Sequence, residues 1–209
     1  HMSQLQDGVR VSHLSLDKTL TVQAIDILTR VFQHDPLIQN LFPHETELRS
    51  RVFFYFLLKK SDLLNEKLLG IYIEGELQGV ASIETPLAKN SVGKILTLVI
   101  ESLKLAFKIP FRSFVFLNNY MKTTLSMRPK EPHHYLVFIG IDPNLQGQGL
   151  GRDFLEYIHQ LVENDSNSIG IGLDTENPEN VPLYEYFGYK LRGTESLDPI
   201  TVFCLFKTK

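Results

Sequence analysis

Ile139-Gly140-Ile141-Asp142-Pro143-Asn144-Leu145-Gln146-Gly147-Gln148-Gly149-Leu150-Gly151-Arg152 is the stretch of this 209-residue chain that decides its fold. It joins a strand-like run, Tyr135 to Ile141, to a helical pattern over Gly149 to Val162, where Leu150, Phe154, Leu155, Ile158, Leu161 and Val162 recur at helical spacing. Glycines occupy alternate positions at the helix entrance. The first N–H groups of a helix have no intrahelical acceptor, and the helix dipole adds positive potential, so main chain alone can hold a phosphate or pyrophosphate here. Arg152 in the first turn opposes the dipole unless an anion occupies the site. Tight packing of turn against strand is the bland alternative. No Gly-Lys-Ser/Thr follows, so this is not a Walker loop, and Arg152 stands where a dinucleotide fingerprint needs its third glycine.

Downstream, Ile169 to Leu173 reads as a second strand, completing a β-α-β unit, followed by a short helix over Pro178 to Phe187 and strands at Tyr189 to Arg192 and Ile200 to Phe206. Upstream, helical patterns run from Leu20 to Phe32, with Asp35-Pro36 as a stop, and from Glu45 to Lys60. A hairpin is predicted over Leu68 to Glu74 and Leu77 to Glu84, turning at Gly75-Glu76. Val92 to Met127 is helical, interrupted at Ile109-Pro110, apolar, and basic, with Lys94, Lys104, Lys108, Arg112 and Lys122 against Glu101. Packed helices with a solvated rim are expected there. A lid over a pocket is the functional alternative, and a membrane-surface helix is disfavoured because the apolar residues spread around the circumference. No repeat and no linker divides the chain, so one α/β domain over residues 3–209 is expected, with His1-Met2 an expression scar.

Lys plus Arg number 21 and Asp plus Glu 24, and the formal charge of −3 offers no general field for a nucleic-acid backbone. The single cysteine, Cys204, can form neither an internal disulfide nor a cysteine-based zinc site, which fits a reducing cytoplasm, as does the lack of an opening signal segment. Cys204 reads as a small buried hydrophobe. Charges interrupt every long apolar run, so no membrane span is expected. No metal site is expected either: His133 and His134 are neighbours on a strand and point to opposite faces.

The residues Ile139 to Pro143 followed by Gln146-x-x-Gly149-x-Gly151 resemble the acyl-CoA signature of the GCN5-related N-acetyltransferase (GNAT) family. Asn177-Pro178-Glu179-Asn180-Val181-Pro182-Leu183-Tyr184-Glu185-Tyr186-Phe187-Gly188-Tyr189 is similar to the family's later motif. The likeness is close over residues 133 to 206. Val31 to Leu37, Leu41-Phe42-Pro43 and His134-Tyr135-Leu136 further resemble a puromycin-acetyltransferase-like subgroup.

This resemblance implies a mixed central sheet splayed at an acyl-CoA cleft, with the helical segment near 92–128 as an insertion. The main chain of Ile139 and Ile141, flanking Gly140, would pair with the pantetheine arm. Gln146, Gly147, Gln148, Gly149, Leu150, Gly151 and Arg152 would wrap the pyrophosphate, and Asn177 or Asn180 would bond the cofactor arm. Tyr184 matches the tyrosine that protonates the departing thiolate. An alkylamine is mostly protonated near neutrality, so a base must take a proton before attack. Glu84, ending a strand beside the cleft, is the candidate by position. Phe32, Phe53, Phe114 and Tyr120 are candidate walls of the acceptor pocket, with core packing the default for each. The expected activity is acetyl transfer from acetyl-CoA to a primary amine of a small molecule or peptide. A noncatalytic acyl-CoA sensor and a nucleotide-binding protein are the rival readings. The acceptor's identity and the existence of a homodimer stay open.

Overall fold

Seven strands make up the sheet, and the computed structural model describes them within residues 5–209; the predicted scar at His1-Met2 lies outside the described residues. The strands are β1 (Val9–His13), β2 (Lys67–Ile73), β3 (Glu76–Glu84), β4 (His134–Ile141), β5 (Gly170–Thr175), β6 (Lys190–Leu197) and β7 (Ile200–Thr208). They form one mixed sheet in the order β1-β2-β3-β4-β5-β7-β6. Only β4 and β5 run parallel; every other neighbouring pair is antiparallel.

Among the described residues, seven α-helices cover the two faces. α1 (Lys18–Val31), α2 (Pro36–Leu41) and α3 (Thr46–Leu63) lie on one face, where Leu28, Phe42, Phe54 and Leu58 pack on Val80, Phe138 and Val202. α4 (Val92–Lys108) and α5 (Phe111–Ser126) flank them. α6 (Leu150–Glu163) covers the other face, burying Phe154, Leu155 and Ile158 against Ile71, Ile171 and Leu205, and α7 (Asn180–Tyr186) leads into β6. Apolar residues on both faces of the central strands make two cores, one per face, as a sheet covered on both sides requires.

Two elements depart from the sequence reading. β1 is an added edge strand, five residues long, too short to show a clear alternation. The Asp35-Pro36 pair read as a stop instead begins α2, because Asp35 Oδ1 accepts from the Leu37 N–H at 2.9 Å and proline fits the first helical turn, where its missing N–H costs nothing.

The helical segment over 92–128 is present as α4 and α5; α5 packs on the core as expected, whereas α4 leaves most of its apolar residues exposed. Leu105 is the one buried residue of α4, and Ser113 and Thr124 are those of α5. α5 is held by half-buried Phe114, Phe116, Leu117 and Tyr120, which pack against the core, and by polar bonds: Arg112 donates to the carbonyl and side-chain oxygens of Asn40 at 2.9 and 3.0 Å, and Ser113 Oγ donates to the Leu41 carbonyl at 2.5 Å.

A bulge in β4 shapes the centre of the sheet. Ser82 pairs with Phe138 and its neighbour Ile83 with Leu136, so Val137 is an extra residue. It turns Leu136 and Phe138, two positions apart, into opposite cores. Pairing of β4 with β5 stops at the same place: His134 faces Ile171 and Tyr135 faces Gly172, and no further pairs follow.

Candidate active site

Beyond Tyr135 the two parallel strands diverge, and β4 presents a free edge inside the sheet. Which groups point into the gap follows from the pairing. The Asp142 N–H donates to the Gln78 carbonyl at 2.8 Å, on the β3 side. Main-chain groups alternate sides along a strand, so those of Gly140 also face β3, and those of Ile139 and Ile141 face the gap. Gly140 serves a different purpose: α1 packs so closely over it that an added Cβ would lie 3.1 Å from Val31 Cγ1.

The strand leads directly into the glycine turn. A short 3-10 turn, Pro143–Leu145, is capped by Asp142, whose carboxylate accepts from the Asn144 N–H at 3.0 Å and is held by Arg30 at 2.8 Å. Gly147 and Gly149 then take φ of 85° and 79°, a region costly for residues with a Cβ. The Asp153 N–H is the first to find a helical acceptor, the Gly149 carbonyl, at 3.0 Å. Among the described residues, none accepts a hydrogen bond from the main-chain N–H groups of Gly147, Gln148, Gly149, Leu150, Gly151 or Arg152. Gln6 approaches the turn but donates, to the Gln148 carbonyl at 3.1 Å and Asp153 Oδ2 at 2.9 Å. A Cβ added at Gly147 or Gly151 would meet open space. Arg152 lies back along the surface, donating to the Tyr186 hydroxyl at 2.9 Å, while Gln146 gives its N–H to Pro143.

Across the gap, the segment between β5 and α7 carries the two asparagines. Asn177 Oδ1 accepts from the Glu179 N–H at 3.1 Å, and Asn180 Nδ2 donates to Thr175 Oγ1 at 3.2 Å. Both shape the entry to α7. Tyr184, on α7, packs edge-on against Tyr189 with centroids 5.6 Å apart. No described residue hydrogen-bonds its hydroxyl. Burial, then the charges of Asp174 and Glu176, push that hydroxyl up to about 12, so it stays protonated through the neutral range.

The strongest electrostatic feature is one that the sequence reading missed. Asp174, in β5, and Glu176, just past its end, are two apart in extended chain and so share a face. The Tyr120 hydroxyl, from α5, donates to both carboxylates, and the Tyr135 hydroxyl, from β4, donates to Asp174. Burial and the charge of Glu176 raise Asp174 well above the usual carboxylate range. Burial and the charge of Asp35 raise Glu176 to about 8. Two carboxylates in one desolvated place cannot both ionise cheaply, and the pair retains a proton near neutrality. The Asp-x-Glu spacing at a strand end was the available signal, but alternate acidic residues at a strand end ordinarily face water.

Glu84 ends β3 opposite Tyr135. Its Oε2 lies 2.6 Å from Arg128 Nη1 and its Oε1 3.6 Å from Lys60 Nζ. The Arg128 guanidinium sits 3.5 Å above the centroid of the Tyr135 ring. Glu84 therefore holds a cation over the tyrosine that bonds Asp174. Of the aromatic candidates, Tyr120 reaches the carboxylate pair, whereas Phe53 is buried in the core and Phe32 packs on Phe54 at 5.6 Å. His134 is buried, its Nδ1 2.7 Å from Ser168 Oγ, while His133 packs edge-on to Phe206. Cys204 is buried beside Met127, and desolvation pushes its thiol up to about 12, which leaves it an inert apolar group. No group of three or more His, Cys, Asp or Glu among the described residues has metal-binding geometry, and no helix among them is long and apolar enough to cross a membrane.

Comparison with known proteins agrees with this geometry. Residues 29–189 match the family model described as the acetyltransferase (GNAT) family. An uncharacterized N-acetyltransferase of Schizosaccharomyces pombe, C550.08, is 29% identical over 79 residues, which is 38% of this chain and 31% of that protein, so the chain matches about a third of the relative's length. A Corynebacterium glutamicum protein described as histone acetyltransferase HPA2 and related acetyltransferase superposes with a TM-score of 0.66 at 18% identity, over 96% of both chains. Arylalkylamine N-acetyltransferase 2 of Aedes aegypti gives 0.66 at 13% identity, over 97% of this chain and 99% of that one.

Proposed function

The chain belongs to the GNAT family of acetyltransferases, and on that premise we propose that it moves the acetyl group of acetyl-CoA to a primary amine by direct attack in a ternary complex. One observation carries the proposal: the free edge of β4 at Ile139 and Ile141 leads, across the short turn at residues 142–146, to six unpaired main-chain amides at residues 147–152. An extended amide-bearing arm ending in a diphosphate is the ligand that matches a strand edge followed by an anion cradle. Ile139 and Ile141, on either side of Gly140, pair with pantetheine. Gln146, Gly147, Gln148, Gly149, Leu150, Gly151 and Arg152 surround the diphosphate, and Asn177 and Asn180 shape the wall along the cofactor arm.

In this mechanism the acceptor enters from the side of α1, α2 and α5, where Asp35, Asp174, Glu176 and Tyr120 meet. Negative charge there favours a cationic acceptor. Ionised Glu176, with Asp174 beside it, takes the ammonium proton; a proton acceptor that titrates near 8 is well matched to working near neutrality. The free amine attacks the thioester carbon, and the oxyanion is met by the main-chain N–H of Ile141, a fixed dipole that needs no reorganisation. The tetrahedral intermediate collapses and the carbon–sulfur bond breaks; Tyr184 gives its proton to the sulfur, the proton that the attacking nitrogen sheds on becoming an amide returns to the Tyr184 oxygen, and Glu176 releases its proton to solvent. Glu84 acts one layer out, through Arg128 and Tyr135, rather than as the base itself. The acceptor is a small amine or an exposed peptide amine.

Release of free CoA in the presence of a panel of mono- and polyamines tests the proposal. Acetyl-CoA binding without release for every acceptor would favour the noncatalytic sensor, and thermal protection by ATP or NAD but not by acetyl-CoA would favour a nucleotide-binding protein.

A further inference from the structure

Helix α4 carries a feature that acetyl transfer does not use. At 100° per residue, Val92, Ile95, Leu96, Val99, Ile100, Leu103 and Phe107 fall within an arc of about 140°. All seven are exposed, Val92 at 75% and Phe107 at 90%, and Phe111 at the start of α5 continues the line at 79%. The large apolar residues of the helix divide in the fold: Leu105 is buried and Leu98, about 20° round from it, is half-buried, while the other seven form one outward face. Such a face is far from what a chain this size ordinarily leaves in water.

Charge selects what covers it. Lys104 borders the arc on one side, Lys108 lies about 40° further round, Lys94 and Arg112 are tied to Asn65 and Asn40, and Lys122 follows on α5, with Glu101 the one acid on either helix. Glu101 lies 3.4 Å from Lys104. The chain as a whole is net negative, so this basic border is a local feature. A second copy of the same face would bring lysines to lysines with no free acid to meet them. An apolar arc with cations along one side and protruding phenylalanines matches an anionic bilayer surface, into which the arc inserts while Lys104 and Lys108 reach the headgroups. We propose that the outer face of α4, continued by Phe111, docks the protein peripherally on anionic lipid membranes. This inference is independent of the acetyl-transfer reading.

Cosedimentation of the full chain with vesicles of phosphatidylcholine alone, or mixed with phosphatidylglycerol, tests it. The protein should pellet with the mixed vesicles and bind at least about tenfold more weakly to phosphatidylcholine alone or in high salt. Leu103→Glu with Phe107→Glu should abolish pelleting while leaving the melting temperature and CoA release unchanged, since both side chains face water. Lys104→Gln with Lys108→Gln should remove the preference for phosphatidylglycerol. Failure to pellet with mixed vesicles, or pelleting that survives the double glutamate variant, would overturn the proposal. A dimer in solution that the double glutamate variant dissociates would assign the face to a second copy instead.

Discussion

Replacing Glu176 with glutamine should change how stability depends on pH, by an amount that follows from the site. The native state raises Glu176 from an ordinary 4.5 to about 8. A carboxyl raised by folding lends stability below its unfolded value, and that stability is lost as pH rises toward the folded value. At ~1.4 kcal/mol per pH unit across the window, the wild type loses about 2 to 3 kcal/mol between pH 5 and pH 7 on this account. For a domain of this size that is a fall of roughly 5 to 10 °C in melting temperature. Glutamine carries no ionisable proton, can still accept from Tyr120, and relieves the charge that raises Asp174, so Glu176→Gln should lose most of this slope. Thermal melts of both proteins at several pH values from 5 to 8 measure it. His134 and His159 titrate in both proteins and cancel in the difference. Parallel curves for the two proteins would refute the assignment of a raised, proton-retaining carboxyl pair.

Tyr184→Phe should lower kcat by roughly 100-fold or more while leaving the affinity for CoA nearly unchanged, measured by steady-state kinetics and calorimetry; an unaltered kcat would remove its role as proton donor. Gly151→Glu places an anion in the first turn of α6, where open space and the helix dipole tolerate it, so its melting temperature should hold or rise slightly while CoA affinity falls at least about tenfold. A fall in stability without a change in CoA affinity would point to packing instead of ligand binding at that turn. Glu84→Gln should leave the rising limb of the pH–rate profile near 8 in place, whereas Glu176→Gln should abolish it; the opposite pattern would return the base role to Glu84.

The glycine turn and the element order around it were legible because local chemistry dictates them. A helix entrance has unpaired amides wherever it occurs, and alternating glycines mark it without any tertiary information. α2 was hidden because Pro36 both ends and begins helices, and the capping geometry of Asp35 decides which. The carboxylate pair could not be read because it exists through convergence: Tyr120 comes from 54 residues before Asp174 and Tyr135 from 39. Glu84 was chosen by position along its strand, and only the contacts of Arg128 and Lys60 reveal that both its oxygens are engaged. The outward face of α4 was obscured for a similar reason, since periodicity finds an apolar arc but not the direction in which it points.

The extra residue at Val137 creates something most folds avoid, an unzipped seam in the middle of a sheet. Unpaired strand edges invite pairing with stray chains and are usually placed where charge or a bulge defends them. Here the seam is closed at Tyr135 and lies inside the sheet, with β5 diverging from it, rather than along an outer edge. On the proposed function, the backbone groups that would make an outer edge hazardous serve instead to hold a small molecule that imitates a peptide.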